Sequence, residues 1–138
     1  MIVDDQAFNL FAIESQLEFI GVSVVKATSG ERAVEALQKR LAELANGTKR
    51  DLFKLILLDY NMGDLNGPET ARTMQRKFAE FRAINPQVVC RMPYMCCLSA
   101  FTASEARQIA LDSGMDQYVQ KPISFDRLQA LIKQTAAI

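Results

Sequence analysis

Five side chains able to handle a phosphoryl group or a divalent cation are spread along this chain. Asp4 and Asp5 lie near its start, Asp59 in its middle, and Ser99 and Lys121 towards its end. Three carboxylates brought together repel one another, which raises the pKa of at least one unless a cation sits among them. An oxygen-only donor set favours a hard ion, and Mg2+ suits a partial carboxylate shell completed by water and phosphate oxygens. A carboxylate can also act as a nucleophile and form an acyl phosphate. Mg2+, the Lys121 ammonium and the Ser99 hydroxyl would then hold the phosphoryl oxygens, because phosphoryl transfer depends chiefly on positioning and charge stabilisation. Each residue alone has an ordinary explanation. Asp4-Asp5 reads as a turn or cap, Asp59 as the start of the turn made by Asn61, Gly63, Asn66 and Gly67, Ser99 as a helix cap and Lys121 as a solvated cation. Those explanations leave their meeting at one place to coincidence.

The rest of the composition narrows the chemistry. The 138 residues contain no histidine, which excludes Ser-His-Asp and Cys-His catalytic sets, an HExxH zinc site and a phosphohistidine donor within this chain. The cysteines are Cys90, Cys96 and Cys97, an odd number without a CxxC pair, so neither a disulfide framework nor a zinc site is expected. Cys96 and Cys97 are expected as small buried thiols on opposite faces of a strand. Lys plus Arg and Asp plus Glu both number 16, which argues against binding nucleic acid by phosphate neutralisation. No run approaches the ~18 apolar residues of a membrane span and no basic-then-apolar leader opens the chain. The expectation is a soluble, cytoplasmic domain with no membrane insertion and no direct nucleic-acid binding. With 49% apolar residues, one well-packed domain is within reach.

Positioning the five residues requires strands that end where they lie. Candidate strands are Ile2–Asp4, Val22–Ala27, Leu52–Leu58, Met95–Ser99 and Gln117–Gln120. Leu55, Ile56, Leu57 and Leu58 are consecutive apolar residues, as in a central parallel strand covered on both faces. Helical spacing recurs between them. Leu10, Ile13, Leu17 and Ile20 precede Gly21; Val34, Leu37, Leu41 and Leu44 precede Asn46-Gly47; Ala71, Met74, Phe78 and Phe81 follow Pro68 and stop before Asn85-Pro86. The fourth helix is expected to open on a Thr102-x-x-Glu105 capping box and end at Gly114. The fifth is expected to follow Ser124 and bury Leu128, Leu131 and Ile132. Strands alternating with helices predict a single α/β domain, a mostly parallel sheet with right-handed crossovers and helices on both faces. Such folds bind ligands at the carboxyl ends of their strands, where all five residues fall. The first strand is short against the ~5–6 residues usual for strands, which raises the alternative that residues 1–138 are a fragment of a longer chain.

In order and spacing, Val3-Asp4-Asp5, Leu57-Leu58-Asp59-Tyr60-Asn61-Met62, Leu98-Ser99-Ala100 and Lys121-Pro122-Ile123 resemble the receiver domain of two-component response regulators. The resemblance spans essentially the whole chain. It implies a flavodoxin-like (βα)5 domain with a five-stranded parallel sheet of order 2-1-3-4-5. By the same resemblance Asp59 is the phosphoacceptor, and Asp5 and Asp59 bind Mg2+ directly, with Asn61 offering its backbone carbonyl and Asp4 acting through water. Lys121 contacts the phosphoryl group, the Lys121-Pro122 peptide is cis, Ser99 is the switch hydroxyl and Tyr118 the switch aromatic. Asn61 and Phe101 stand at positions that tune phosphate lifetime. The implied partner is a histidine kinase or a histidine phosphotransfer protein. Homodimerisation stays open, and a membrane-anchored parent kinase is one setting for such a domain.

Two features depart from the family pattern. Gly63 stands where a proline commonly follows the methionine, which loosens that loop. Gly47–Asp51 and Cys90–Tyr94 lengthen the approaches to the third and fourth strands, as in receivers of eukaryotic hybrid histidine kinases. Three alternatives can be weighed against this resemblance. A haloacid-dehalogenase-like phosphatase needs an acid two residues after its nucleophile, where Asn61 cannot protonate a leaving group, and places that nucleophile after the first strand. A degenerate receiver serving only as an interaction scaffold would not need the whole acidic set with Ser99 and Lys121. A flavodoxin relative would need a phosphate-cradling loop where Asp4-Asp5 stands.

Overall fold

In the computed structural model, which describes residues 1–100 and 103–136, five strands alternate with five helices. They are β1 (Ile2–Val3), α1 (Ala7–Ile20), β2 (Lys26–Ala27), α2 (Gly30–Ala45), β3 (Leu55–Asp59), α3 (Gly67–Ile84), β4 (Tyr94–Ser99), α4 (Ser104–Asp112), β5 (Gln117–Gln120) and α5 (Phe125–Ala136). The sheet is parallel throughout, with strand order β2-β1-β3-β4-β5, so the chain reverses direction across the sheet between β1 and β3.

The consecutive apolar residues of the strands divide between two cores. Val3, Ile56, Leu58, Met95 and Cys97 pack with Leu37, Leu41, Met74 and Phe78 of α2 and α3. Ile2, Leu55, Leu57, Cys96 and Leu98 pack with Leu10 and Leu17 of α1 and Leu128 and Leu131 of α5. The alternation is the period-two geometry of a strand, with each face covered by helices. Cys96 and Cys97 therefore face opposite cores, and burial pushes both thiols up to about 12, which keeps them protonated at neutral pH.

Helix ends follow the sequence signals. Gly21 takes a left-handed conformation at φ 90° and closes α1 through hydrogen bonds from its N–H to Glu18 and Leu17 carbonyls. The Asn66 side chain accepts the Glu69 N–H at the start of α3, and Ser124 accepts the Arg127 N–H at the start of α5. Helix α4 begins at Ser104, preceded by Ala103 in extended backbone, and the capping box was expected one residue earlier, at Thr102. Thr102 itself lies outside the described residues. In α5, Leu128 and Leu131 are buried, whereas Ile132 is only partly so and Thr135 fills the further buried position.

Three strands are shorter at one end than periodicity implies. β1 stops at Val3 because the Asp4 carboxylate turns to accept the Gln6 N–H at 2.9 Å. β2 is confined to Lys26–Ala27 because its ladder partner offers only Ile2 and Val3. β3 begins at Leu55 rather than Leu52, where β4 first pairs with it through Tyr94, and runs one residue further to Asp59. A strand extends only as far as a neighbour supplies hydrogen bonds. Val22, Val24 and Leu52 still pack against the cores as non-ladder residues.

Helix α1 is apolar on two sides. Leu10 and Leu17 face the core, while Phe8, Phe11 and Phe19 are 78%, 66% and 84% exposed. At 100° per residue the three phenylalanines fall on one solvent-facing stripe with Ala12 and Ser15.

Candidate functional site

The carboxyl ends of β1, β3, β4 and β5 meet at one edge of the sheet. Asp59 is the last residue of β3 and is 7% exposed; Asp4 follows β1 and is 3% exposed. Asp5 is exposed beside them. One carboxylate oxygen from each of the three aspartates lies within 4.8 Å of the others.

Lys121 is shared between the two buried carboxylates. Its Nζ stands 2.9 Å from Asp59 Oδ1 and 3.0 Å from Asp4 Oδ2. Burial by itself would lower the Lys121 pKa, but the hydrogen bonds and charges of Asp59 and Asp4 outweigh it and hold the pKa above its ordinary value. Lys121 is therefore a fixed cation. For Asp59 the balance differs: burial raises its pKa, Lys121 pulls it back, and the neighbouring charges of Asp4 and Asp5 push it up again, leaving it raised. A divalent cation beside Asp59 would reverse that direction by stabilising the ionised carboxylate. The donor set is all oxygen, acidic and open on the side of Asp5, which fits a hard ion that keeps part of its water shell.

The supporting contacts fix these groups. Asp4 accepts the Gln6 N–H on Oδ1 and the Asn9 amide on Oδ2 at 3.2 Å, so its carboxylate is oriented from three directions. The backbone N–H of Lys121 donates to the Ser99 carbonyl at 2.7 Å, and the Lys121–Pro122 peptide is cis. Ser99 ends β4 and is buried. The Tyr60 N–H donates to the Leu98 carbonyl at 2.9 Å, extending the ladder past Asp59. Gly67 then starts α3 so close to β3 that a Cβ there would lie 2.5 Å from the Asp59 carbonyl oxygen. Only glycine permits that approach.

The structure thus brings Asp4, Asp5, Asp59, Ser99 and Lys121 to one edge. Asn61 is exposed on the loop leaving β3. Tyr118 sits apart in β5, level with Cys97, half-buried against the core under α2 and α3. Phe101 lies outside the described residues. Sequence reasoning missed Asn9 and Gly67. The Asn66-Gly67-Pro68 triplet at the head of a helix was the available signal for the second; nothing local marked the first.

The description of the response regulator receiver domain matches residues 1–133. The chain belongs to that family. It is a receiver domain of two-component systems, with Asp4, Asp5 and Asp59 forming the acidic pocket of such domains. The sensor protein GacS of Pseudomonas syringae pv. syringae is 30% identical over 134 residues, 96% of this chain and 13% of its own length. The virulence sensor protein BvgS of Bordetella bronchiseptica is 30% identical over 140 residues, 99% of this chain and 10% of its own. The transcriptional regulatory protein ZraR of Escherichia coli O157:H7 is 27% identical over 137 residues, 26% of its own length. The receiver chain spans about a quarter or less of these relatives. Among solved structures, the receiver domain of the histidine kinase CKI1 from Arabidopsis thaliana, complexed with Mg2+ and BeF3-, superposes with a TM-score of 0.76 at 24% identity, covering 99% of this chain and 88% of that one. The Vibrio cholerae chemotaxis protein CheY4 superposes with a TM-score of 0.72 at 21% identity, covering 97% and 94%. Both share the receiver's fold. Among the described residues, no helix is long and apolar enough to cross a membrane.

Proposed function

We propose that Asp59 is the phosphoacceptor of this receiver, taking its phosphoryl group from a phosphohistidine on a histidine kinase or histidine phosphotransfer protein. The observation that carries this reading is the Lys121 ammonium held 2.9 Å from the buried Asp59 carboxylate at an edge open to solvent through Asp5. A carboxylate oxygen of Asp59 attacks phosphorus in line, the P–O bond forms, the P–N bond breaks, and the departing imidazole takes up a proton. Lys121 offsets negative charge on the transferring oxygens, which is where most of the stabilisation in phosphoryl transfer lies. Mg2+, when bound, supplies further neutralisation of those oxygens. Asp5 and Asp59 would hold it directly, the Asn61 backbone carbonyl would add a ligand, and Asp4, whose oxygens already accept three hydrogen bonds, would act through water.

The phosphorylated state is read through Ser99 and Tyr118. A phosphoryl group adds roughly −1.5 to −2 charge and strong acceptor oxygens. Ser99 donates to them and draws the end of β4 towards Asp59, and Tyr118 rotates into the space behind, changing the face made by α4, β5 and α5. Asn61, exposed at the mouth, sets water access to the acyl phosphate. The donor approaches along α1, which starts directly after the acidic pair and offers Phe8 and Phe11 to a helical partner. These events take place in the cytoplasm, where a kinase keeps its phosphohistidine.

Intact-mass measurement after treatment with acetyl phosphate and Mg2+ tests the acceptor. One base-labile phosphate adduct is expected in the wild type and none in Asp59→Asn; equal labelling of the two overturns the assignment. Asp5→Asn should weaken Mg2+ binding and labelling together, and Asp4→Asn should weaken Mg2+ binding less.

A further inference from the structure

The two lengthened loops that depart from the family pattern converge. Residues 50–54, entering β3, and residues 89–94, entering β4, line one cleft of about 310 Å3. Because the strands are parallel, this cleft lies at the amino ends of β3 and β4, opposite the Asp59 edge.

Its charge is unbalanced. Arg50, Lys54 and Arg91 line it, and all three are exposed. Among the described residues, none of them takes part in an ion pair, although Lys26, Arg76, Lys77 and Lys121 do. Arg40 stands just beyond, its guanidinium 4.6 Å over the ring of Phe53, which forms part of the wall. Two carboxylates border the cleft. Asp51 and Asp116 are thus its counter-charges, two against the three lining cations with Arg40 beyond them, and Asp116 is held in place by accepting the Met95 N–H at 2.8 Å.

The cleft is also apolar. Phe53, Met92 and Pro93 form its wall, and Val89 at its border is 96% exposed. An inorganic anion would satisfy the cations and leave that wall and Val89 in water. A segment carrying an apolar side chain between carboxylates would cover both, and a cleft of this size is at the lower end of the range that accommodates small ligands, roughly 300–1,000 Å3.

We propose that this cleft is a second binding site of the domain, taking an acidic peptide segment with a central aliphatic or aromatic side chain. The carboxylates pair with Arg50, Lys54 and Arg91, and the apolar side chain lies against Phe53 and Met92. Seated there, the segment leaves the Asp59 edge open, so a receiver can hold this partner and meet its phosphodonor together.

The test uses a fluorescently labelled, end-capped Glu-Asp-Leu-Asp-Glu peptide, followed by anisotropy and by amide shifts of the whole domain. Saturable binding is expected, with shifts centred on residues 50–54 and 89–94. Affinity should fall about tenfold or more in Lys54→Glu/Arg91→Glu, on the scale that charge reversal at an interface produces. A peptide with glycine in place of the leucine should also bind more weakly. Unchanged melting temperature and Mg2+ affinity in the double variant exclude misfolding as the cause. The proposal is overturned by an absence of binding, by equal affinity in the double variant, by equal binding of a Gln-Asn-Leu-Asn-Gln peptide, or by shifts that map elsewhere. Full displacement by inorganic phosphate with no effect of the leucine shows a simple anion site and overturns the peptide assignment as well.

Discussion

The two ends of the sheet handle charge in opposite ways. At the carboxyl edge Lys121 is drawn between Asp4 and Asp59, and their side chains are nearly buried. At the amino edge Arg50, Lys54 and Arg91 stand exposed without an ion-paired carboxylate among the described residues. A chain with a formal net charge of zero thus carries an acidic end and a basic end. The difference lies in desolvation. Charges held out of water must be compensated where they stand, and the compensation then makes them precise and costly to disturb. Charges left in water need no internal partner, so they are cheap to keep and free to meet a ligand.

Breaking the carboxyl edge should produce the largest effect. Lys121→Met removes the cation facing Asp59, and labelling by acetyl phosphate should slow by about 10²–10³-fold, the usual consequence of losing one charge-stabilising donor. A labelling rate within a factor of about two of wild type would place the stabilising charge elsewhere than Lys121.

The same substitution sharpens the comparison in stability. Without Mg2+, Lys121→Met leaves two adjacent buried carboxylates and should lower the urea-derived unfolding free energy by about 2 kcal/mol at neutral pH. Lys54→Met at the other end should change it by less than ~0.5 kcal/mol. Similar losses at the two positions would remove the distinction between the edges.

A smaller effect follows from the raised pKa of Asp59. A carboxyl group whose pKa is raised by folding favours the native state at pH below its ordinary value near 3.8, and that contribution is lost as pH rises through the raised value. In Mg2+-free buffer, Asp59→Asn should therefore gain stability relative to wild type as pH rises through that window. Saturating Mg2+ should narrow the gap by stabilising the ionised form in the wild type alone. A difference between the two proteins that stays constant with pH would show that Asp59 is not strained by its burial. The smallest expected effect is that of Arg91→Glu on its own, within ~0.5 kcal/mol of wild type in unfolding free energy.

Much of this was legible in the sequence. The order of strands and helices came from apolar periodicity and from stop signals such as Gly21, Gly114 and Asn85-Pro86, which act within a few residues of where they stand. The strand end at Ser99 was legible for the same reason, and that of β3 to within one residue of Asp59. β2 was not, because the Val22–Ala27 pattern describes side chains that pack, whereas the ladder is limited by a partner strand far along the chain.

Local pattern by itself determined the inventory: which residue types end which strands, that the chemistry is carboxylate and ammonium chemistry, and that the sheet is covered on both faces. Tertiary structure decided who meets whom. Lys121 reaches Asp4 across 117 positions of sequence, and one nitrogen serves two carboxylates because the strand order sets β1 and β3 side by side. It also decided that Phe8, Phe11 and Phe19 face water although their residue type favours a core, and that two loops far apart in sequence line one cleft. Periodicity is set by the backbone over a few residues, while such meetings depend on register and strand order, which no short window of sequence contains.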